Sequence, residues 1–367
     1  MIFFRNLLLA LLLGVSIPSL AAPLLPGYQA SPEATSVSGL SSGGYMASQF
    51  HVAYSADLIG AGIVAAGPYY CAGSGAPEGA AASAVHPYLS VASTTCMNPC
   101  QWAFWPFVSW CEAFYLPDGA ELADKAEAFA TADLIDPLSS LVDDRIYLFS
   151  GGLDTTVVTG VVDQAKAFYV AAGVPEQAIQ YDTMPEADHA FISDNSDSDC
   201  DRHAPPFINN CDGYDQARQL LSHIYGGLND NASALTGTMV AFDQSEFVPA
   251  RQLAISGLAD TAFVYVPEDC QNEACRIHIA FHGCRQSAAE FATNKVFFRE
   301  QAGYNEVADS NQIIVLYPQI RSGAVQTYSP FNPKGCWDFW GYTGSDFYHQ
   351  QSIQMSAVRA MIERLQK

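Results

Sequence analysis

The segment Gly39-Leu40-Ser41-Ser42-Gly43 most constrains how this chain can fold. It joins a β-branched run, "TSVSGL", to a stretch with apolar residues at helical spacing, "GGYMASQFHVAYSADL". Strand, sharp turn and helix in that order raise a serine onto a strained turn. Glycines on both sides let strand and helix approach each other there. A turn of this kind needs a sheet around it, built from several strands. Yet few residues precede it. The partners of the Ser41 strand must therefore come from later in the chain.

The N-terminus sharpens the point. "MIFFRNLLLALLLGVSIPSLAAPLLPGY" has Arg5 before a short apolar run, Leu7 to Val15. Ser19-Leu20-Ala21 then supplies small residues for cleavage. This reads as a signal peptide over 1–21, too short in its core for a membrane span. We expect an exported chain, extracellular or periplasmic, with no membrane partner. Ten cysteines in such a chain point to disulfides rather than metal ligands. Cys200 and Cys211 can close a polar loop. Cys270 and Cys275 bound "CQNEAC". Cys284 and Cys336, each beside a glycine in motifs taken up below, are expected to pair. Cys71, Cys96, Cys100 and Cys111 have no pairing fixed by spacing.

The formal net charge of −22 disfavours nucleic acid and anionic lipid as partners and suits an uncharged substrate. No linker, repeat or low-complexity tract interrupts 22–367, which we read as one domain, without a separate substrate-binding domain and monomeric. Further strands fall at "GAGIVAAGPYY", "RIYLFSGGLD", "AIQYDTM", "RIHIAFHG" and "QIIVLYP". "GTMVAFDQSEF" and "TAFVYVP" alternate like antiparallel strands. Helices fall at Leu122 to Ala132, Val161 to Ala172, "DQARQLLSHIYG" and "SIQMSAVRAMIERL". This alternation argues for an α/β fold with a largely parallel sheet covered on both faces.

Nucleophilic serine chemistry needs a base for the serine proton, a carboxylate to hold that base, and N–H donors for the oxyanion. Asp154 follows a strand end, where open α/β sheets place their sites. His189, in "EADHAF", follows the next strand. Asp154 as a helix cap and His189 as a surface residue are the structural alternatives. Asp182, Asp188 and Asp194 compete as the acid; His203, His223, His278 and His282 compete as the base. Ser42 competes as the nucleophile but breaks the Gly-x-Ser-x-Gly frame. The order Ser, Asp, His is that of the α/β-hydrolases. In those enzymes a strand like "RIHIAFHGC" precedes the elbow, whereas here it follows the histidine. Joining Lys367 to the mature N-terminus restores the usual order, so we expect a circular permutation.

"SGLSSGGYMA", "GGLDTTV", "ADHAF", "FHGCRQ" and "GCWDFWGY" together resemble the extracellular polyhydroxybutyrate depolymerases of the single-domain, circularly permuted type, over nearly all of the mature chain. The resemblance implies Ser41 as nucleophile, His189 as base, Asp154 as orienter, and backbone N–H groups of Ser42 and Cys284 as the oxyanion hole. It implies Trp337 at the cleft with Trp340 behind it, and His282 beside the substrate. A Cys284–Cys336 bridge would tie the Trp loop to the oxyanion loop. No metal or organic cofactor is implied, and the substrate is a polyester or its oligomers. An esterase for small or aromatic esters, and a non-catalytic surface-binding protein, are the alternatives. "WAFWPFVSW" with Tyr69 and Tyr70 reads either as an exposed polymer-binding patch or as the core of a lid. The alternate Asp residues of "DNSDSDCD" resemble a calcium loop but lack its Gly and distal Glu, so we expect a solvated loop.

Overall fold

The computed structural model describes residues 22–74, 87–101, 103, 108–288, 297–322 and 332–367. The 1–21 leader and most of "WAFWPFVSW" lie outside these residues.

β-Branched, apolar runs form the centre of an eight-stranded sheet. β1 is Thr35–Leu40, β2 Gly60–Val64, β3 Arg145–Gly151 and β4 Ile179–Met184. A short pair, β5 (Phe191–Ile192) and β6 (Ile208–Asn209), stands apart. β7 (Thr238–Asp243), β8 (Thr261–Val266), β9 (Arg276–Phe281) and β10 (Ile313–Tyr317) return to the main sheet. Its order is β4-β3-β2-β1-β9-β10-β8-β7. β1, β2 and β10 are buried along their whole length, as parallel strands covered on both faces must be. β7 and β8 pair antiparallel, as their alternation predicts.

The missing partners of β1 are thus found. β1 pairs in parallel with β2 on one side and with β9 on the other, Val37 opposite Ile279. Counted from β7 through the C-terminus and on into β1, the sheet order becomes 1-2-4-3-5-6-7-8, with β1 as the fifth strand. Four strands therefore precede the elbow in spatial order. The chain ends meet as this requires: the Tyr28 and Ala30 N–H groups both donate to Leu365 O at 3.0 Å. The fold is the circularly permuted α/β-hydrolase fold.

Helices Ser42–Ala53, Gly119–Thr131, Thr159–Ala171 and Ile353–Leu365 bury their apolar stripes on one face of the sheet. Helices Gln216–Tyr225 and Tyr304–Asp309 cover the other. Asp118, Asp215 and Ser352 start three of these helices by accepting backbone N–H bonds. Helices Pro87–Ser93 and Val108–Tyr115 fall where no helix is expected from the sequence. Both belong to the segment stapled by Cys71–Cys96 and Cys100–Cys111. The other three bridges, Cys200–Cys211, Cys270–Cys275 and Cys284–Cys336, form as the sequence suggests. Tyr69 and Tyr70 correct the patch reading. They are 0% and 4% exposed and pack with Tyr88, Phe129, Phe347 and Tyr348, so neither ring is free to bind polymer. Among the described residues no helix is long and apolar enough to cross a membrane.

Candidate active site

Ser41 sits between β1 and helix Ser42–Ala53 with φ 56° and ψ −122°. This left-handed backbone is costly for a side-chain-bearing residue and marks a strained turn. The flanking glycines have a steric reason. A Cβ on Gly39 would lie 2.3 Å from Gly43 C, and one on Gly43 would lie 2.2 Å from Phe281 O. Only hydrogen fits at both places. The turn is thereby pressed against the end of β9.

Asp154 follows β3 and is buried. Its Oδ1 accepts the N–H groups of Thr156 and Val157 at 2.8 and 2.9 Å. These bonds fix the carboxylate, and its other oxygen, Oδ2, meets His189 Nδ1 at 2.7 Å. Asp154 is not the cap of the following helix: helix Thr159–Ala171 has Val158 at its N-cap and no side-chain cap bond. With Nδ1–H given to Asp154, Nε2 is left as the basic nitrogen. Ser41 and His189 line one cavity of about 390 Å³.

The rivals have other partners. Asp182 accepts from Tyr214 and Gln180, and Asp194 is exposed. Asp188 accepts the His189 N–H at 2.6 Å and meets His203 Nδ1 at 2.7 Å. His223 bonds Ala178 O. His278 is fully buried between the Ser36 and Ser38 hydroxyls, and burial pushes its pKa down to about 3. The Ser42 hydroxyl accepts from Trp337 N–H at 3.3 Å and lies 3.4 Å from Cys284 Sγ, so it ties two loops together.

The two N–H groups expected to serve an oxyanion are those of Ser42 and Cys284; Ser42 itself is not among the described residues that line the cavity. The Ser42 N–H opens a helix, where no intrahelical acceptor exists. Cys284 is one of the residues lining the cavity. Neither N–H donates to another group among the described residues. The neighbouring Gly283 N–H is taken by Gln286 Oε1 at 2.6 Å. The Gln286 amide in turn donates to Pro206 O and Phe207 O, which joins this loop to the one bearing His203.

Of the expected substrate-contacting residues, only Trp340 lines the cavity, with Phe339 beside it. Trp337 is 0% exposed and packs edge-on against Phe281, so the two tryptophans exchange the places expected of them. His282 is also withdrawn. Its Nδ1–H donates to Gly283 O at 2.8 Å and its Nε2 accepts from Ile320 N–H at 3.1 Å. Burial pushes its pKa down to about 4, consistent with a neutral ring holding two loops. The Trp loop is shaped by buried Asp338, whose carboxylate accepts N–H bonds from Trp340, Gly341, Tyr342 and Thr343. Burial raises its pKa. The sequence reading missed Gln286, Asp338 and the cavity residues Leu89, Met97, Arg285 and Lys334. The last two stand inside recognised motifs or beside them, so the motifs themselves were the available signal.

The Asp194 to Asp201 loop is closed by Cys200–Cys211, and no three His, Cys, Asp or Glu side chains among the described residues gather to hold a metal ion.

No family model matches the sequence. Two curated proteins do. The poly(3-hydroxybutyrate) depolymerase of Delftia acidovorans is 35% identical over 94% of this chain, which spans 62% of that protein's length. The polyhydroxybutyrate depolymerase of Talaromyces funiculosus is 33% identical over 99% of this chain and 98% of its own. Among solved structures, a PHB depolymerase complexed with an R3HB trimer superposes with a TM-score of 0.75 at 30% identity. It covers 93% of this chain and 98% of that one. The PHB depolymerase from Penicillium funiculosum gives a TM-score of 0.73 at 31% identity with the same coverage.

Proposed function

Because the chain belongs to the polyhydroxybutyrate depolymerase family, we propose that it hydrolyses the ester bonds of poly(3-hydroxybutyrate)-type polyesters by an acyl-enzyme mechanism. One observation carries the assignment of roles. His189, bonded to Asp154 at 2.7 Å, shares a cavity with Ser41 on its strained turn. Ser41 Oγ attacks the ester carbonyl carbon, and its proton passes to His189 Nε2. Asp154 keeps the ring oriented and stabilises its charged form. The carbonyl oxygen becomes an oxyanion that accepts from the Ser42 and Cys284 N–H groups. Collapse breaks the acyl–oxygen bond, and His189 returns the proton to the departing alcohol. Water then repeats the sequence on the acyl-Ser41 ester and releases a 3-hydroxyacid. These steps call on no metal or organic cofactor.

Trp340 is assigned to substrate contact, with Trp337 and His282 supporting the wall behind it. The same proposal includes export through the 1–21 leader, action outside the cell, and a single catalytic domain over 22–367 working as a monomer. The five disulfides support the oxidising setting.

The test is release of 3-hydroxybutyrate from an amorphous polyhydroxybutyrate film, with Ser41→Ala beside it and a short nitrophenyl ester as control. Film release that vanishes in Ser41→Ala is expected. Ester hydrolysis without film release would keep the catalytic residues and replace the polymer by small esters.

A further inference from the structure

The cavity wall carries a charge opposite to that of the chain. The protein has 38 Asp and Glu against 16 Lys and Arg. Yet the described lining of the Ser41 cavity includes Arg285 and Lys334 and no Asp or Glu. Both residues are exposed, and neither meets a carboxylate among the described residues. Six described cations, among them Lys125, Arg218 and Arg359, do meet a carboxylate. Arg145, Arg202, Arg251, Arg276 and Arg321 have no such ion pair among the described residues but lie away from the cavity lining. His203 also lines the cavity, but Asp188 holds its Nδ1 at 2.7 Å. The unpaired positive charge at this wall is therefore that of Arg285 and Lys334.

The two residues are held side by side. Arg285 N–H donates to Lys334 O at 2.8 Å, and the Cys284–Cys336 bridge joins their loops. Arg285 adopts φ 63°, a conformation that glycine would take with less strain. An arginine therefore stands at a position whose backbone favours glycine, and its side chain is free at the rim.

We propose that Arg285 and Lys334 form a carboxylate subsite that binds the free-acid end of a 3-hydroxyacid oligomer. The inference rests on the polyester reading above. The carboxylate end of such an oligomer belongs to the fragment that leaves as the alcohol. During turnover the acyl–oxygen bond breaks, His189 returns its proton to the alcohol oxygen, and the distant carboxylate keeps its charge. The subsite thus lies on the leaving-group side of Ser41. The net negative charge of the chain opposes the approach of an anion, but salt screens that field beyond about 8 Å at physiological ionic strength. Direct contact with two cations lies within this length, so the local pair decides binding once the chain end arrives.

The experiment compares kcat/KM for the 3-hydroxybutyrate trimer as free acid and as methyl ester. Exposed ion pairs are individually weak, so two of them give a free-acid preference on the order of fivefold at about 0.15 M salt, where the field of the whole chain is screened. In the Arg285→Gln/Lys334→Gln double variant the ratio should fall towards one. High salt should lower it in the unaltered protein. A ratio near one at about 0.15 M salt, or a preference that survives both substitutions, overturns the proposal. Should the double variant lose its cooperative melt, the salt series decides, and a preference that does not change with salt overturns the proposal. Absence of turnover on both trimers would overturn the polyester reading and this proposal with it, whereas turnover without preference refutes the subsite alone.

Discussion

Replacing Gly43 by alanine tests how the two halves of the proposed oxyanion hole are held. Gly43 lies in the first turn of the elbow helix. An added Cβ would stand 2.2 Å from Phe281 O and 2.5 Å from His282 O. Ordinary contact begins at about 3.4 Å, so helix and strand would have to part by about 1.2 Å, the difference between 3.4 and 2.2 Å. The obstructing atoms are backbone, and no side chain can swing aside. Overpacking of this sort costs about 1–3 kcal/mol of stability. The separation opens between the Ser42 N–H on the helix and the Cys284 N–H just beyond β9. A misplacement of about 1 Å costs on the order of 10²-fold in rate. We therefore expect Gly43→Ala to fold with a lowered Tm and to lose about 10²-fold in kcat on a soluble nitrophenyl ester. Gly227→Ala is the control, since its Cβ would meet nothing within 4 Å. Steady-state kinetics and a circular-dichroism melt read both variants. If Gly43→Ala kept more than about a third of the kcat, the close approach would not set the donor spacing.

Three further outcomes are expected. Asp154→Asn should lower kcat on the order of 10⁴-fold with the melt intact; turnover within about tenfold of the unaltered protein would assign another carboxylate. Removing the Cys284–Cys336 bridge, whose cysteines are 52 residues apart, should reduce the unfolding free energy in guanidinium by about 4 kcal/mol. A loss under about 1 kcal/mol would mean that hydrogen bonds such as those of Asp338 hold the Trp loop without it. His278 has its pKa pushed from 6.5 down to about 3 by burial. Between these values the unfolded chain binds a proton that the folded chain does not, so stability falls as pH drops below about 6.5 and keeps falling towards about 3. His278→Asn should therefore lose less Tm than the unaltered protein between about pH 7 and pH 4. Equal losses would refute the linkage.

The elements that carry chemistry were largely legible because each is a local pattern. The β-branched run before Ser41, the glycines around it, and Asp154 after "RIYLFSGG" follow from strand and turn chemistry alone. The permutation was legible too, because few residues precede Ser41 and "RIHIAFHG", a strand of the kind that comes before an elbow, follows the histidine instead. Choices among like residues were not. Trp337 and Trp340 are three positions apart, and the N–H groups gathered by Asp338 decide which one reaches the cavity. Tyr69 and Tyr70 look the same in a surface patch and in a core. Their burial depends on Phe129 and Tyr348, which are remote in sequence. The pairing of Cys71, Cys96, Cys100 and Cys111 likewise depends on a fold that spacing does not specify.

The pairing of β1 with β9 has a consequence for synthesis. Ser36 and His278, facing residues of these strands, are separated by 242 positions. Contacts of such range close late and slowly. Ser41, the nucleophile of the proposed mechanism, emerges from the ribosome near the beginning, while β9, which leads to the proposed Cys284 donor, and then the Trp loop come near the end. A nascent or prematurely terminated polypeptide therefore carries Ser41 without the machinery to use it. On the proposed mechanism, hydrolytic competence waits until β9, in the last third of the chain, pairs with β1.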